Sequence, residues 1–101
     1  MDDLSWLLDW YYKQCDGERE HMYGIAIHTL DNPGWYIEAD LQETVLENIE
    51  FTQIKIDRTE NDWIHCTVKM NVFGGYGGPF NLPEILSVFR KWVEETTSKK
   101  R

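Results

Sequence analysis

Apolar residues recur at helical spacing in two stretches of the chain, one near each end. Over residues 3–14 the predicted buried side has the i, i+3, i+4, i+7 spacing and consists of Leu4, Leu7, Leu8 and Tyr11. Over residues 83–96 the apolar side of the predicted helix consists of Leu82, Ile85, Leu86, Phe89, Trp92 and Val93. Asp2 or Asp3 suits the N-cap of the first helix, and Pro83 suits the first turn of the second.

Between the helices, apolar and polar residues alternate with the two-residue period of β-strands. Four segments have this period: residues 23–30, 35–41, 51–58 and 63–70. The sequence Asp-Asn-Pro-Gly at residues 31–34 predicts that the first two segments form a hairpin. Residues 42–50 are compatible with a short helical turn or a loop, and the glycine-rich residues 73–79 are expected to be irregular.

These elements predict an α+β fold. Short connections favour an antiparallel meander, and both amphipathic helices need the apolar face of the sheet. The expected architecture is a two-layer sandwich, in which a four-stranded antiparallel sheet carries the N- and C-terminal helices on one face. We expect one domain over residues 1–98, followed by a basic tail at residues 99–101.

The other face of this sheet would be open to solvent. Alternation along the strands predicts that it carries His28, Tyr36, Glu38, Asp40, Lys55, Trp63 and His65. Aromatic residues within a polar face are typical of protein-binding surfaces. Alternatively, Tyr36 and Trp63 are only a cross-strand aromatic pair that stabilises the sheet.

Acidic residues are concentrated in the first half of the chain. Residues 1–50 contain 12 acidic residues (Asp and Glu) but only 2 basic residues (Lys and Arg). Residues 51–101 contain 6 acidic and 8 basic residues, so that the whole chain has a net charge of −8. This distribution disfavours nucleic acid and anionic membranes as partners and favours a basic protein. Acidity that serves only solubility is the simpler interpretation.

The sequence has no signal-peptide pattern at its start and no apolar run of the roughly 20 residues that span a bilayer. Its two cysteines, Cys15 and Cys66, are far apart and lack a metal-binding spacing. We therefore expect a cytoplasmic protein with free thiols.

Cysteine and histidine side chains are the first candidates for catalysis. Cys15 with His21 or His28 could form a thiol nucleophile and its base, although the acidic neighbours of Cys15 disfavour the reactive thiolate. His21, His28 and His65 could bind a metal together with carboxylates, but no two of them have a diagnostic spacing. We expect no metal and no cofactor, and a small metal- or thiol-dependent enzyme that uses Cys15, His28 and His65 remains the alternative.

Two further patterns have simpler structural explanations. The segment GGYGGP at residues 74–79 lacks the Lys-Ser/Thr of a phosphate-binding loop, so a tight turn before the last helix is expected. Glu38 and Asp40 could form a glycosidase-like carboxylate pair, but that chemistry requires a deep cleft. An acidic stripe that faces solvent or a partner is the expectation for these two residues.

Six short motifs occur in order along the chain: WYYKQCDG, EHMYGI, TLDNPGW, DWIHC, GGP and NLPEIL. Together they resemble the immunity protein 53 family of bacterial polymorphic toxin systems, over roughly residues 4–95. The resemblance implies a cytoplasmic, non-catalytic protein that binds the toxic domain of a cognate effector and blocks its active site. Many such toxin domains are basic nucleases, against which an acidic inhibitor would mimic nucleic-acid phosphate.

The resulting hypothesis is occlusion of a toxin by an acidic surface that contains aromatic side chains. The predicted toxin-binding residues are Asp16, Glu18, Glu20, Tyr36, Glu38, Asp40, Trp63, His65 and Tyr76. Trp35 alternates with Ile37 and is expected to be buried. We expect no direct contact with nucleic acid or membrane, and the free protein could be a monomer or a weak dimer. A regulatory adaptor that binds a host protein is the remaining alternative.

Overall fold

The structure, a computed structural model, describes residues 1–99. Within them lie two helices and five strands: α1 Asp3–Gln14, β1 Ile25–Leu30, β2 Gly34–Asp40, β3 Ile54–Thr59, β4 Asp62–Lys69, β5 Val72–Gly77 and α2 Leu82–Lys99. Both predicted helices and all four predicted strands are confirmed, and Asp2 is the N-cap of α1. Of the predicted basic tail, Lys99 is the last residue of α2, and residues 100 and 101 lie outside the described part of the chain.

The strands form one antiparallel sheet in the order β1-β2-β5-β4-β3. The prediction of a four-stranded meander is therefore wrong, because β5 lies in the centre of the sheet between β2 and β4. The chain passes from β4 to β5 through Met70 and Asn71, whose φ angles are 51° and 60°. Both residues thus have the left-handed conformation of a tight hairpin turn, for which Asn-Gly is the usual sequence signal.

Glycine allows β5 to lie directly under α2. A Cβ atom at Gly75 would overlap Cγ2 of Ile85, and one at Gly77 would lie 2.9 Å from Cδ1 of the same side chain. Only a residue without a side chain fits between the sheet and the helix at these two positions. The prediction of an irregular segment is therefore wrong for residues 73–77, because Gly74, Gly75 and Gly77 belong to a central strand, whereas residues 78–81 form the expected turn before α2.

The core lies between one face of the sheet and the two helices. The ring centroid of Phe89 in α2 is 4.8 Å from that of Phe73 in β5 and 5.2 Å from that of Trp10 in α1. Ile37, Ile64 and Phe89 are completely buried. Both helices therefore cover the same face of the sheet, and the opposite face is open, as predicted.

Helix α1 is rotated relative to the prediction. Of the four residues predicted to be buried, only Leu7 is, whereas Leu4 and Leu8 are 52% and 62% exposed. Trp6 and Trp10 instead face the core and contact Phe89, because two large rings gain more from burial than two leucines. Apolar side chains are consequently left at the surface of α1, beside β1.

The segment between β2 and β3 consists of turns, so that 42–50 is a loop and not a helix. Leu46 anchors it, because its side chain is completely buried in the core. The backbone N–H of Asn48 donates to the side-chain oxygen of Asn71, which joins this loop to the β4–β5 turn. Among residues 1–99, no helix is long and apolar enough to cross a membrane.

Candidate functional site

A row of side chains crosses all five strands on the open face of the sheet. The register pairs His28 with Tyr36, Tyr36 with Tyr76, Tyr76 with His65, and His65 with Lys55. Ring centroids are 4.6 Å apart for the two tyrosines and 5.6 Å apart for His28 and Tyr36. The prediction that strand alternation brings these histidines and Tyr36 to one face is confirmed, and the central position of β5 adds Tyr76.

Trp63 lies beside this row, next to His65, and not opposite Tyr36. It precedes His65 in β4, and the two rings are 4.9 Å apart. Because β5 separates β4 from β2, the alternative in which Tyr36 and Trp63 form a cross-strand pair is wrong. The cross-strand partner of Tyr36 is Tyr76.

The centre of the row is held by Glu38 and Gly74. Burial, followed by a hydrogen bond to the Glu38 carboxylate and the proximity of Tyr76, raises the pKa of Tyr36 well above its ordinary value. Tyr36 is therefore neutral and donates to the Glu38 carboxylate. The ring of Tyr76 lies over Gly74, where a Cβ atom would be 3.4 Å from Cε2 of the ring. The tyrosine rings are thus stacked in a restricted position.

The end of the row on β3 and β4, beside Trp63, is held by a polar network. The backbone N–H of Trp63 donates to Oδ1 of Asn81, a buried side chain whose amide group donates to Asp62 and Glu84. Arg58 forms ion pairs with both of these carboxylates. At the same end, Nε2 of His65 is 2.8 Å from Oδ1 of Asp57. The network joins the β3–β4 turn to the start of α2.

Two of the three predicted contact residues in the acidic turn, residues 15–20, hold its backbone. Oδ1 of Asp16 accepts hydrogen bonds from the N–H groups of Arg19 and Glu18, and these bonds lower the pKa of the Asp16 carboxyl. The Glu20 carboxylate accepts hydrogen bonds from the N–H groups of Asp16 and Gly17. A hydrogen bond from the backbone N–H of Glu20 itself, together with those from Asp16 and Gly17, lowers the pKa of this carboxyl. Both carboxylates remain charged, and Glu18 is exposed.

Arg19 fastens this turn to the end of β2, and sequence reasoning missed it. The side chain is only 3% exposed, and it donates to the backbone oxygens of Gln42 and Asp40, each at 2.9 Å. Its guanidinium also lies over the ring of Tyr23. In the sequence it is one charge within a charged run, so no local signal reveals its burial.

Most acidic side chains of the first half lack an ion-pair partner. Among the described residues, only Asp3 and Asp9 of its 12 carboxylates form ion pairs, with Arg90 and Lys13. In the second half, by contrast, Asp62, Glu84 and Glu94 all contact arginine. The acidic turn, in which Arg19 is the one basic residue, and β2 therefore keep a net negative charge, and their carboxylates form no ion pair among the described residues.

Glu38 and Asp40 line a shallow recess next to β1. The recess has a volume of about 290 Å³ and is also lined by Gly24, Ile25 and Ala26. Oδ2 of Asp40 accepts a hydrogen bond from the N–H of Gly24 at 2.9 Å. The acidic stripe predicted for β2 is present, without the deep cleft that glycosidase chemistry requires.

The residues that an enzyme would use are not brought together. His28 and His65 share a face, but three strand spacings, about 14 Å, separate them. The thiol of Cys15 donates to the backbone oxygen of Tyr11, and burial raises the pKa of the Cys66 thiol to about 12. Over residues 1–99, no three His, Cys, Asp or Glu side chains form a cluster that could bind a metal ion.

Trp35 is half-buried, on the helix side of β2. Its Nε1 donates to the backbone oxygen of Pro79 at 3.0 Å, which joins β2 to the segment that follows β5. Trp35 is therefore less buried than expected, and it lies on the opposite face from the row of Tyr36 and Tyr76.

Comparison with known proteins gives one match. The family model described as immunity protein 53 matches residues 4–94 of the 101-residue chain. No curated protein and no solved structure matches the chain. The matched region contains α1 except for its first residue, strands β1 to β5 and most of α2, and so it includes the open face, the acidic turn and Arg19. The resemblance of the six sequence motifs is confirmed, and the chain belongs to the immunity protein 53 family.

Proposed function

We propose that this protein binds the toxic domain of a cognate bacterial effector and neutralises it without catalysis of its own. The observation that carries the proposal is the open face, a stacked aromatic row bordered by carboxylates that form no ion pair among residues 1–99, in a chain of an immunity protein family. The proposed contact residues are Asp16, Glu18, Glu20, Tyr36, Glu38, Asp40, Trp63, His65 and Tyr76.

The aromatic row supplies the apolar part of the contact. Tyrosine and tryptophan offer large areas and lose little conformational freedom on binding, and Tyr36 and Tyr76 already restrict each other by stacking. Trp63 is oriented by the bond from its backbone to Asn81. A surface that is ordered before binding loses less entropy in the complex.

The carboxylates supply the electrostatic part. Glu18, Glu38 and Asp40 have no cationic partner among the described residues, so each is free to face a basic side chain of the toxin. Asp16 and Glu20 contribute negative potential while they hold the turn. Such a field attracts a basic active site and occupies the place of phosphate groups if the toxin is a nuclease.

The proposal is tested by co-expression with the product of the adjacent upstream reading frame, the candidate toxin. We expect growth rescue and a complex that co-purifies. Alanine at Tyr36 or Trp63 should weaken binding by at least about 2 kcal/mol, roughly 30-fold in Kd. The control is Phe80→Ala, in the loop between β5 and α2, where the ring is 88% exposed and binding should be unchanged.

Different outcomes contradict different parts of the proposal. Without rescue or complex formation, toxin neutralisation is refuted. If the wild type binds but folded Tyr36→Ala and Trp63→Ala variants bind equally well, the open face is not the contact surface. An association rate that does not fall between about 0.05 M and 0.5 M salt would refute the electrostatic part.

A further inference from the structure

The two outer strands of the sheet differ in how their edges are protected. β3 carries Lys55, Asp57 and Arg58, and charged side chains of this kind prevent an edge from pairing with another strand. β1 has the sequence IAIHTL, without proline and without an acidic or basic residue other than histidine. Its edge thus lacks the usual protection.

Backbone groups of β1 are available at this edge. The N–H of Asp40 donates to the oxygen of Gly24, and ladder alternation then directs the N–H and C=O groups of Ala26 and His28 towards β2. The corresponding groups of Ile25, Ile27 and Thr29 point away from the sheet. They have no hydrogen-bond partner within residues 1–99.

The two sides of this edge have different chemistry. On the helix side, α1 and β1 enclose a mostly apolar groove of about 410 Å³, whose lining includes Leu4, Leu8, Tyr11 and Ile27 and one carboxylate, that of Glu20. On the open side is the recess with the carboxylates of Glu38 and Asp40, neither of which forms an ion pair within residues 1–99. Successive side chains of a strand added to β1 would point alternately to the groove and to the recess.

We propose that the free edge of β1 binds an extended segment of the toxin domain in which apolar and basic residues alternate. The inference rests on the proposed function and names the part of the toxin that docks. The apolar side chains enter the groove beside Leu4 and Leu8, and the basic ones pair with Glu38 and Asp40. His28 joins this edge to the aromatic row, so the two surfaces are continuous.

A second copy of the chain fits this edge less well. Each copy has a net charge of −8, so two copies repel each other. On the open face a second β1 would present Ala26, His28 and Leu30, none of which is a fixed cation for Glu38 and Asp40. Charge complementarity therefore favours a basic toxin segment.

Amide hydrogen exchange tests whether the edge of β1 pairs with the backbone of the toxin. It is measured on the wild type, both free and bound to the co-expressed toxin domain. Exchange at Ile25, Ile27 and Thr29 should slow by about 100-fold or more in the complex, because a new ladder bonds these groups. The outward N–H groups of Lys55 and Asp57 on β3 should exchange equally in both states. They are the internal control.

Substitutions at Ile27 separate backbone from side chain. Ile27→Pro removes an N–H that points outward and so breaks no bond to β2, and we expect it to weaken toxin binding at least about 30-fold. Ile27→Ala keeps the N–H and should weaken binding less. The control is Ile56→Ala on β3, since the side chains of Ile56 and Ile27 are 38% and 39% exposed. That variant should bind as the wild type does.

Each outcome has a separate meaning. If the wild type binds the toxin while exchange in β1 is unchanged and Ile27→Pro binds normally, this inference is wrong and the proposed function stands. If Ile27→Pro does not fold, the exchange data on the wild type decide. If the wild type forms no complex, both the proposed function and this inference are refuted. Protection of β1 that rises with the concentration of the free protein would show that a second copy occupies the edge.

Discussion

Gly75 lies at the point where α2 comes closest to the sheet, and its replacement by alanine should lower the stability of the protein by about 2 kcal/mol. A Cβ atom there would overlap Cγ2 of Ile85 and lie 3.0 Å from Cγ2 of Ile37, whereas ordinary contacts are 3.4 Å or longer. Both isoleucines are completely buried, so neither can move into solvent.

The magnitude follows from two opposing effects. Overpacking a well-filled core costs about 1–3 kcal/mol, and an overlap with two buried side chains belongs at the upper end. Alanine recovers about 0.5–1 kcal/mol, because it loses less backbone entropy than glycine on folding. The net loss of about 2 kcal/mol should appear as a lower urea midpoint with an unchanged slope.

The neighbouring glycine provides a matched control. At Gly74, on the open face, the added Cβ would make an ordinary contact of 3.4 Å with the Tyr76 ring, and at Gly24 it would meet nothing within 4 Å. Without a clash to offset the entropic gain, both alanine variants should be at least as stable as the wild type, by up to about 0.5–1 kcal/mol. In an Ile85→Ala background, the cost of Gly75→Ala should fall by at least about 1 kcal/mol. If Gly75→Ala is as stable as Gly74→Ala, the close approach of α2 to β5 is refuted.

Three further predictions concern the β4–β5 turn and the acidic turn. Met70→Asn should raise the melting temperature by about 4–8 °C, because Met70 has a φ of 51° and is 92% exposed, and asparagine relieves about 1 kcal/mol of strain there. Arg19→Ala should lower the free energy of unfolding in urea by about 2–4 kcal/mol, since two backbone oxygens lose their donor. The stability of Arg19→Lys should lie between those of Arg19→Ala and the wild type. The lowered pKa values of Asp16 and Glu20 stabilise the fold above about pH 4, and this contribution disappears as the pH falls below that value. Melting temperatures between about pH 2 and 6 should therefore depend less on pH in the Asp16→Asn/Glu20→Gln variant.

Each of these predictions has an outcome that contradicts it. An unchanged melting temperature for Met70→Asn would mean that the turn is not strained. Wild-type stability of Arg19→Ala would mean that the guanidinium bonds do not fasten the acidic turn. Parallel pH profiles of the wild type and the double variant would show that the two carboxylates are not linked to folding.

The elements that depend on periodicity were predictable from sequence. Both helices and four strands follow from the spacing of their apolar residues, and strand alternation also brings His28, Tyr36 and His65 to one face. The strand β5 was not predictable in this way, because three of its six residues, Val72–Gly77, are glycines, which are typical of turns. The reason for these glycines is the packing of Ile85 directly over Gly75, which is a tertiary contact.

The candidate site was predictable to the extent that it depends on alternation within one strand. The stack of Tyr36 and Tyr76 depends on the order of the strands, which no local pattern contains. The burial of Arg19 depends on backbone oxygens 21 and 23 residues further along the chain. The rotation of α1 depends on Phe89 in the opposite helix, which attracts the tryptophans rather than Leu4 and Leu8.

The central position of β5 has a consequence for the order of folding. The β1–β2 hairpin and the β3–β4–β5 meander each consist of neighbours in sequence, and the β2–β5 ladder is the one pairing in the described sheet that joins distant segments. Such a non-local contact forms late, because a long loop must first close. Tyr36 and Tyr76 stack across this β2–β5 ladder, which is the joint between the two halves of the sheet. The aromatic row therefore forms only after the two halves have paired. A partner that contacts both halves would hold the joint closed and slow the unfolding of the whole protein.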